Sequence, residues 1–479
     1  MSFVSRIRWQ GLYSGTEAAL SVPGPYRDTV SYLRLNQYIG NFCGRLTALG
    51  VVPGGLYGLH ISDVLLNIVA TLALEHVGAA SVSLPDVEFV EAWPLAGILT
   101  DDATVNSRFS VERIDLDWLR GEGLYEADET RLGRGPDDLC RIILTSGSTG
   151  RPKGVAYTHR MVEERISRFS FAFGDEFVRQ KRTLCCMGLS SALGYLFLVY
   201  SLGRGGMFCV PDPSIDTTAR KVSVYNIQNV VASPLTLGEF WAVSQTDQMS
   251  FRSLELIMTA GSLLPRALAD QLRANICNRM VNLYGSAEAG VVATAPVEAL
   301  DLDNGEVGFV VPGVDVDILD PQTGAVIVGG GGKVRIRSEA NARSYFGPES
   351  EGTGTFDKEA FYPGDQGYLA PNRMLSIFGR DNNVVNLGGI KTTIERIEAR
   401  FAGTPGVAEL AAVLIEDGIG IKRTAVLVVP NGNWSEKTFW DHCHRSVPRE
   451  FWPIRVITSD RLPRGATGKV DRLRLSSLV

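Results

Sequence analysis

The sequence predicts an α/β protein: parallel sheets covered by helices, then a smaller α+β unit from Asp381 onward. Three observations predict it. Helical and strand-like apolar patterns alternate through residues 1–140, as they do where a parallel sheet is covered by helices. Residues 300–370 are rich in short strands and turns, and beyond Asp381 the pattern changes to mixed helices and strands. A chain of 479 residues also exceeds one ordinary core, so two or more domains are expected.

Composition excludes several classes. Apolar residues at 45% and charged residues at 21% describe a globular chain rather than a disordered one. The net charge of −6 gives no basic footprint for nucleic acid. Seven cysteines lie scattered without paired spacing, which predicts a reduced, cytoplasmic protein. The opening Met1-Ser2-Phe3-Val4-Ser5-Arg6 lacks an apolar signal core, and the most apolar stretch, 193–202, is too short to span a bilayer.

In order, Leu33, Leu35, Phe42, Leu46 and Leu49 have helical spacing that stops at Gly50. Residues 56–60 read as a strand, 64–76 as a helix ending near Gly78, and 80–84 as the next strand. Asn36, His60 and His76 read as packing or surface residues. A β-branched run, Ile142-Ile143, then leads into Thr145-Ser146-Gly147-Ser148-Thr149-Gly150-Arg151-Pro152-Lys153-Gly154. Residues 146–154 hold three glycines, three hydroxyls and a lysine. Glycines let backbone approach a ligand closely, successive N–H groups form an anion nest, and a lysine adds charge. That is a phosphate grip. It is not the NTPase loop, because Lys153 is followed by glycine, nor a hydrolase elbow, because the serine spacing differs.

The segment resembles the phosphate-binding signature of the adenylate-forming superfamily: acyl- and aryl-CoA synthetases, peptide-synthetase adenylation domains and luciferases. Later motifs fall in the same order. Asn282-Leu283-Tyr284-Gly285-Ser286-Ala287-Glu288 places an aromatic beside a glycine and a carboxylate further on, suited to a purine and to Mg²⁺ bridging phosphates. It resembles the family's Tyr-Gly-x-Thr-Glu, with Ala287 replacing the threonine and Ser286 as the neighbouring hydroxyl. Tyr362-Pro363-Gly364-Asp365 and Gly379-Arg380-Asp381 resemble the ribose-binding and hinge motifs. Leu462-Pro463-Arg464-Gly465-Ala466-Thr467-Gly468-Lys469 resembles the C-terminal loop with the catalytic lysine.

The resemblance implies a large N-terminal domain, 1–380, with helix-covered sheets and a small β-barrel lobe. A small mobile C-terminal domain, 381–479, would turn about Asp381. It implies Lys469 and Glu288 as catalytic, and Glu288 with Thr149 as metal-binding. Thr145, Ser146, Gly147, Ser148, Thr149, Gly150 and Lys153 would hold the phosphates of ATP. Gly261, Ser262, Tyr284, Gly285, Ser286, Asp365 and Arg380 would contact the rest of the nucleotide. Ser190, Ser191, Ala192, Gly194 and Ser233 would line the acid pocket, and Gly388, Gly389 and Lys391 the thiol side.

Amino-acid-activating members carry an aspartate near 190–192, where this chain has Ser190, Ser191 and Ala192. A buried ammonium without a counter-charge is costly, so an α-amino acid is disfavoured. Many acyl-CoA synthetases place a histidine or aromatic gate where Ser191 falls. The implied reaction is ATP- and Mg²⁺-dependent activation of a small carboxylic acid, followed by thioester formation with coenzyme A. Loading the phosphopantetheine of an acyl carrier protein, or binding without turnover, are the alternatives.

The C-terminal part adds an expected capping box, Thr392-x-x-Glu395, opening a helix with Ile394, Ile397 and Phe401 on one face. Residues 407–415 and 424–429 read as strands. Asp441-His442-Cys443-His444 is adjacent on one helix and does not converge on a metal. Gly329 to Gly332 reads as a turn before the strand 333–337.

Overall fold

The computed structural model describes residues 3–478 apart from 25–28, 86–92, 122–134, 146–152, 175–178, 180, 348–354, 381–383, 388–389, 402, 417–421, 448–450 and 465–469. Two large sheets carry the chain before Asp381. In the larger, of 15 strands among the described residues, the parallel half runs Ala18–Ser21, Met207–Cys209, Arg182–Cys185, Asn229–Ala232, Leu256–Ala260 and Met280–Ser286 in spatial order. The strand-and-turn lobe continues it edge to edge. Gly290–Pro296, Glu306–Val310, Met374–Arg380, Asp365–Leu369 and Gly332–Arg337 follow, all antiparallel.

The second sheet has a parallel part in the order Leu139–Thr145, Ala80–Ser83, Leu56–His60, Gly97–Thr100 and Val111–Arg113. Lys153–Thr158 turns back antiparallel on Leu139–Thr145, and the short strand Tyr345–Phe346 pairs with it from the far end of the sequence.

Helices Tyr32–Ala48, Val64–His76, His159–Phe173 and Ala192–Gly203 share one apolar core with both sheets. Val64–His76 and Ala192–Gly203 are buried along almost their whole length, which explains why their sequences are apolar all round. Helices Ile215–Val224, Pro234–Ser244 and Arg266–Asn275 cover a second cluster. Ser31, Asp63, Thr158, Ser191 and Ser233 cap their helices, each side chain accepting from the N–H three residues on. Each such cap is worth about 1 kcal/mol.

Asn36, His60 and His76, read as packing or surface residues, each hydrogen-bond a main-chain carbonyl. Asn36 Nδ2 donates to the Arg8 carbonyl, His76 Nδ1 bonds the Leu72 carbonyl, and His60 Nδ1 bonds the Leu84 carbonyl.

After Asp381 comes a hairpin, Val384–Leu387 with Ile390–Thr393, then helix Ile394–Arg400. A three-stranded sheet follows: Val407–Glu416, Lys422–Pro430 and Arg455–Thr458. Ile394, Ile397 and Phe401 lie in its core as expected. The capping box does not form as read: Thr392 pairs with Val385 in the hairpin and the helix starts at Ile394. The run Ile390-Lys391-Thr392-Thr393 is β-branched enough to stay in the ladder. His442, Cys443 and His444 sit on helix Glu436–Ser446, and no metal-holding cluster occurs among the described residues.

Candidate active site

Four connections open at the carboxyl ends of the parallel strands of the larger sheet: residues 186–191, Ser233, Gly261-Ser262 and Ala287-Glu288. Ligands of open α/β sheets sit at that edge.

Glu288 is the most elaborately supported of these residues. It is 8% exposed, and the Tyr345 hydroxyl donates to its Oε1 at 3.0 Å. The ring of Tyr345 lies 4.7 Å beneath Lys153 Nζ. Strand pairing of Tyr345 with Val155 brings the two together. Lys153, at the end of the phosphate segment, and Glu288, in the distant tyrosine motif, therefore meet on one aromatic ring. Thr145 joins them, its hydroxyl donating to the Lys153 carbonyl at 3.3 Å.

Behind Glu288 stand two arginines that the sequence reading missed. Arg165 Nη1 donates to the Ala287 carbonyl at 2.8 Å, and Nη2 to the Glu288 and Ala340 carbonyls at 2.7 and 2.8 Å. Its guanidinium stacks 4.2 Å from the Tyr157 ring centroid, and the Tyr157 hydroxyl donates to the same Ala287 carbonyl. Arg168 Nη1 donates to the Ala289 and Val291 carbonyls. Burial pulls the Arg168 guanidinium down to about 10 and pushes the Tyr157 phenol up to about 12. A signal was present: Arg165 lies four residues after Met161 and three after Val162, on the apolar face of its helix.

Gly285 is required sterically, since a Cβ there would lie 2.1 Å from the Gly290 carbonyl oxygen. Ser286 Oγ accepts from Ala289 N at 3.2 Å, so this oxygen closes the turn.

Asp365 arrives from another strand, also 8% exposed. The Tyr284 hydroxyl donates to its Oδ2 at 2.5 Å, and strand register sets Asp365 opposite Arg380. Of the predicted nucleotide residues, Tyr284 and Asp365 thus meet side chain to side chain, and Arg380 stands opposite Asp365 in the ladder.

On the other side, Ser190 is exposed, and Ser191 and Ala192 are half-buried. The Ser191 hydroxyl caps the following helix by accepting from Gly194 N at 3.1 Å. Gly194 is fixed by the same close approach, a Cβ there falling 2.1 Å from the Gly188 carbonyl oxygen. Met187 faces Gly261, its Cε lying 3.8 Å from where a Cβ on Gly261 would stand. Gly261 and Ser262 are exposed, and Ser233 caps its helix.

Ser146, Gly147, Ser148, Thr149, Gly150, Asp381, Gly388, Gly389 and Lys469 lie outside the described residues. Lys391 is on the hairpin strand Ile390–Thr393.

The donor set fits a hard divalent cation: a shielded carboxylate at Glu288, next to a lysine suited to phosphate. The model of the AMP-binding enzyme family matches residues 12–346, and the chain belongs to that family. Among relatives, the AMB antimetabolite synthetase AmbB of Pseudomonas aeruginosa is 27% identical over 93% of this chain, which spans only 37% of AmbB. The L-proline–[L-prolyl-carrier protein] ligase of Pseudomonas fluorescens is 26% identical over 95% of both chains. The long-chain-fatty-acid–CoA ligase FadD13 of Mycobacterium tuberculosis is 25% identical over 92% of this chain and 91% of its own. In fold, the chain resembles o-succinylbenzoate coenzyme A synthetase (MenE) from Bacillus subtilis, solved with ATP and magnesium ion. The TM-score is 0.83 at 21% identity, over 98% of this chain and 99% of the other.

Proposed function

We propose that this protein activates a carboxylic acid with ATP and transfers the acyl group to the thiol of coenzyme A. The observation that carries the reading is a pair of contacts between motifs distant in sequence: Tyr284 with Asp365, and Glu288 with Lys153 across the Tyr345 ring. An oxygen of the acid attacks the α-phosphorus of ATP, and the bond to the pyrophosphate oxygen breaks. The products are an acyl-adenylate and pyrophosphate. The thiol sulfur of coenzyme A then attacks the acyl carbon, and the bond from that carbon to the AMP phosphate oxygen breaks. AMP leaves and the thiol proton passes to solvent. Among the groups assigned here none is a covalent nucleophile, so catalysis is positioning and charge stabilisation.

Lys153, Thr145 and residues 146–150 hold the β- and γ-phosphates, Asp365 takes the ribose hydroxyls, and Arg380 contacts the nucleotide. Tyr284, Gly285, Gly261 and Ser262 line the base and acyl side. Glu288 and Thr149 would hold Mg²⁺, which would neutralise charge on the phosphates. Lys469 holds the carboxylate and the developing phosphoryl charge. In this reading residues 1–380 bind ATP and acid, and 381–479 turn about Asp381 to bring Gly388, Gly389 and Lys391 to the thiol. Ser190, Ser191, Ala192, Gly194 and Ser233 bound an uncharged acyl or aryl group. A cytoplasmic setting belongs to the same reading, from the scattered cysteines.

The carrier-protein alternative has a specific observation behind it. The L-prolyl-carrier protein ligase matches over 95% of this chain, whereas FadD13 and MenE, both named for coenzyme A, match over 92% and 98%.

Incubation with ATP, Mg²⁺, coenzyme A and pooled aryl, fatty and polycyclic acids, read by mass spectrometry, decides between them. An acyl-CoA supports the first reading, and an acyl-adenylate alone supports a carrier protein. Lys469→Ala is expected to abolish adenylation while ATP binding persists. Near-normal adenylation by that variant would sink the assignment of Lys469.

A further inference from the structure

Arg141 occupies a place that an aliphatic side chain would ordinarily fill. It sits between Cys140 and Ile142 on the strand that leads to Thr145, and it is 1% exposed. Its Nη1 donates to Thr71 Oγ1 at 3.2 Å and Ser81 Oγ at 2.9 Å. Its Nη2 donates to Ser83 Oγ at 2.7 Å and to the Leu189 carbonyl at 3.3 Å. The guanidinium carbon lies 4.9 Å from the ring centroid of Tyr195, whose hydroxyl donates to Glu75 Oε1 at 2.7 Å. Glu75 is fully buried. A cation and a carboxylate are thus committed to the core around one tyrosine.

Stability alone does not account for this network. Well-packed apolar residues commonly serve as well as a buried ionic group, and the best-attested use of such groups is to fix one arrangement against others. The acceptors identify which arrangement. Thr71 belongs to helix Val64–His76 and Ser81 and Ser83 to strand Ala80–Ser83 of the second sheet, whereas Leu189 belongs to the loop between the larger sheet and helix Ala192–Gly203. Arg141 is therefore a strut from the phosphate-bearing strand to that loop. Met187 of the loop faces Gly261, and Ser191 caps the helix that closes it.

We propose that Arg141 is the positioning residue for the acid-side loop, with Tyr195 and Glu75 holding its guanidinium. This rests on Ser190, Ser191, Ala192 and Gly194 lining the acid side, as proposed above. Truncating the strut loosens the loop and weakens the acid, while the nucleotide groups on Asp365 and Glu288 keep their places.

The test uses R141M, R141K and Y195F in the full chain. In R141M the KM for the acid rises about tenfold, the effect of one charge-assisted hydrogen bond, with the KM for ATP unchanged. R141K recovers part of the loss, and Y195F moves the same parameter less. Hydrogen exchange on the substrate-free protein is the second readout: amides of 187–194 exchange faster in R141M than in wild type. Parallel rises in both KM values, or unchanged exchange at 187–194, would overturn the proposal. If wild type activates no acid, the functional reading falls while exchange still judges the strut. Should R141M not fold, exchange in R141K and Y195F decides in its place.

Discussion

Glu288 and Asp365 are equally buried carboxylates that each accept a tyrosine hydroxyl, yet they are held in place by opposite means. Asp365 begins a strand whose register shifts only past Gln366, and antiparallel pairing opposite Arg380 sets its position. Glu288 sits in a turn, where no ladder orders the backbone. Two buried guanidiniums, the Tyr157 hydroxyl and the N–H of Ala342 take up the carbonyls of Ala287, Glu288, Ala289 and Val291 instead. Buried carbonyls must find donors. Where a functional carboxylate lies on a strand the sheet supplies them, and where it lies on a turn side chains must be brought from elsewhere.

Substitutions at the two carboxylates test this difference most strongly. Glu288→Gln is expected to lower kcat of adenylation on the order of 10²–10³-fold, as the loss of one preorganised group does. Asp365→Asn is expected chiefly to raise the KM for ATP, about tenfold or more, the cost of a charge-assisted hydrogen bond. Steady-state kinetics separate the two parameters. If both variants lose kcat alone, the carboxylates do not divide the work as proposed.

Arg165→Met probes the support rather than the carboxylate. It is expected to cost about 2–3 kcal/mol in thermal unfolding, since the Ala340 carbonyl loses two donors, and to lower kcat while leaving ATP binding intact. Unchanged kcat in a folded variant would mean that the turn orders itself.

The smallest effect belongs to the C-terminal part. Arg472 donates to Glu398 at 2.9 Å and to the Ala412 carbonyl, tying the last helix to Ile394–Arg400 and its sheet. Burial pushes the Glu398 carboxyl above its usual range, against the pull of Arg472. A carboxyl raised in the folded state favours folding while protonated, and that contribution is lost as pH rises through its folded pKa. Arg472→Met raises Glu398 further. Its destabilisation should therefore grow from pH 4 to pH 7, ending between the ~1 kcal/mol of an exposed pair and the ~3 of a buried one. Unfolding followed by tryptophan fluorescence at both pH values measures it. A pH-independent loss would mean that packing, not charge, is what Arg472 supplies.

Legibility in the sequence followed the range of the interactions. The strands 56–60 and 80–84 and the helix 64–76 were readable because apolar periodicity is local. Thr392 misled for the same reason: a valid local capping signal lost to a hairpin partner at Val385. Arg165, Arg168, Tyr345 and Arg141 went unread. Each is a polar group in an apolar pattern whose partners lie far away in sequence, such as Tyr345 and Glu288, 57 positions apart.

The sequence by itself determined the order of the motifs, the chemistry of their side chains and the alternation that makes parallel sheets, all set by neighbours along the chain. Only the tertiary structure decided that the Tyr345 ring joins Lys153 to Glu288, that arginines of one helix hold the Glu288 turn, and that Arg141 reaches the Leu189 carbonyl. Buried donors and acceptors must be satisfied by whatever packing brings near them, and that depends on the whole fold.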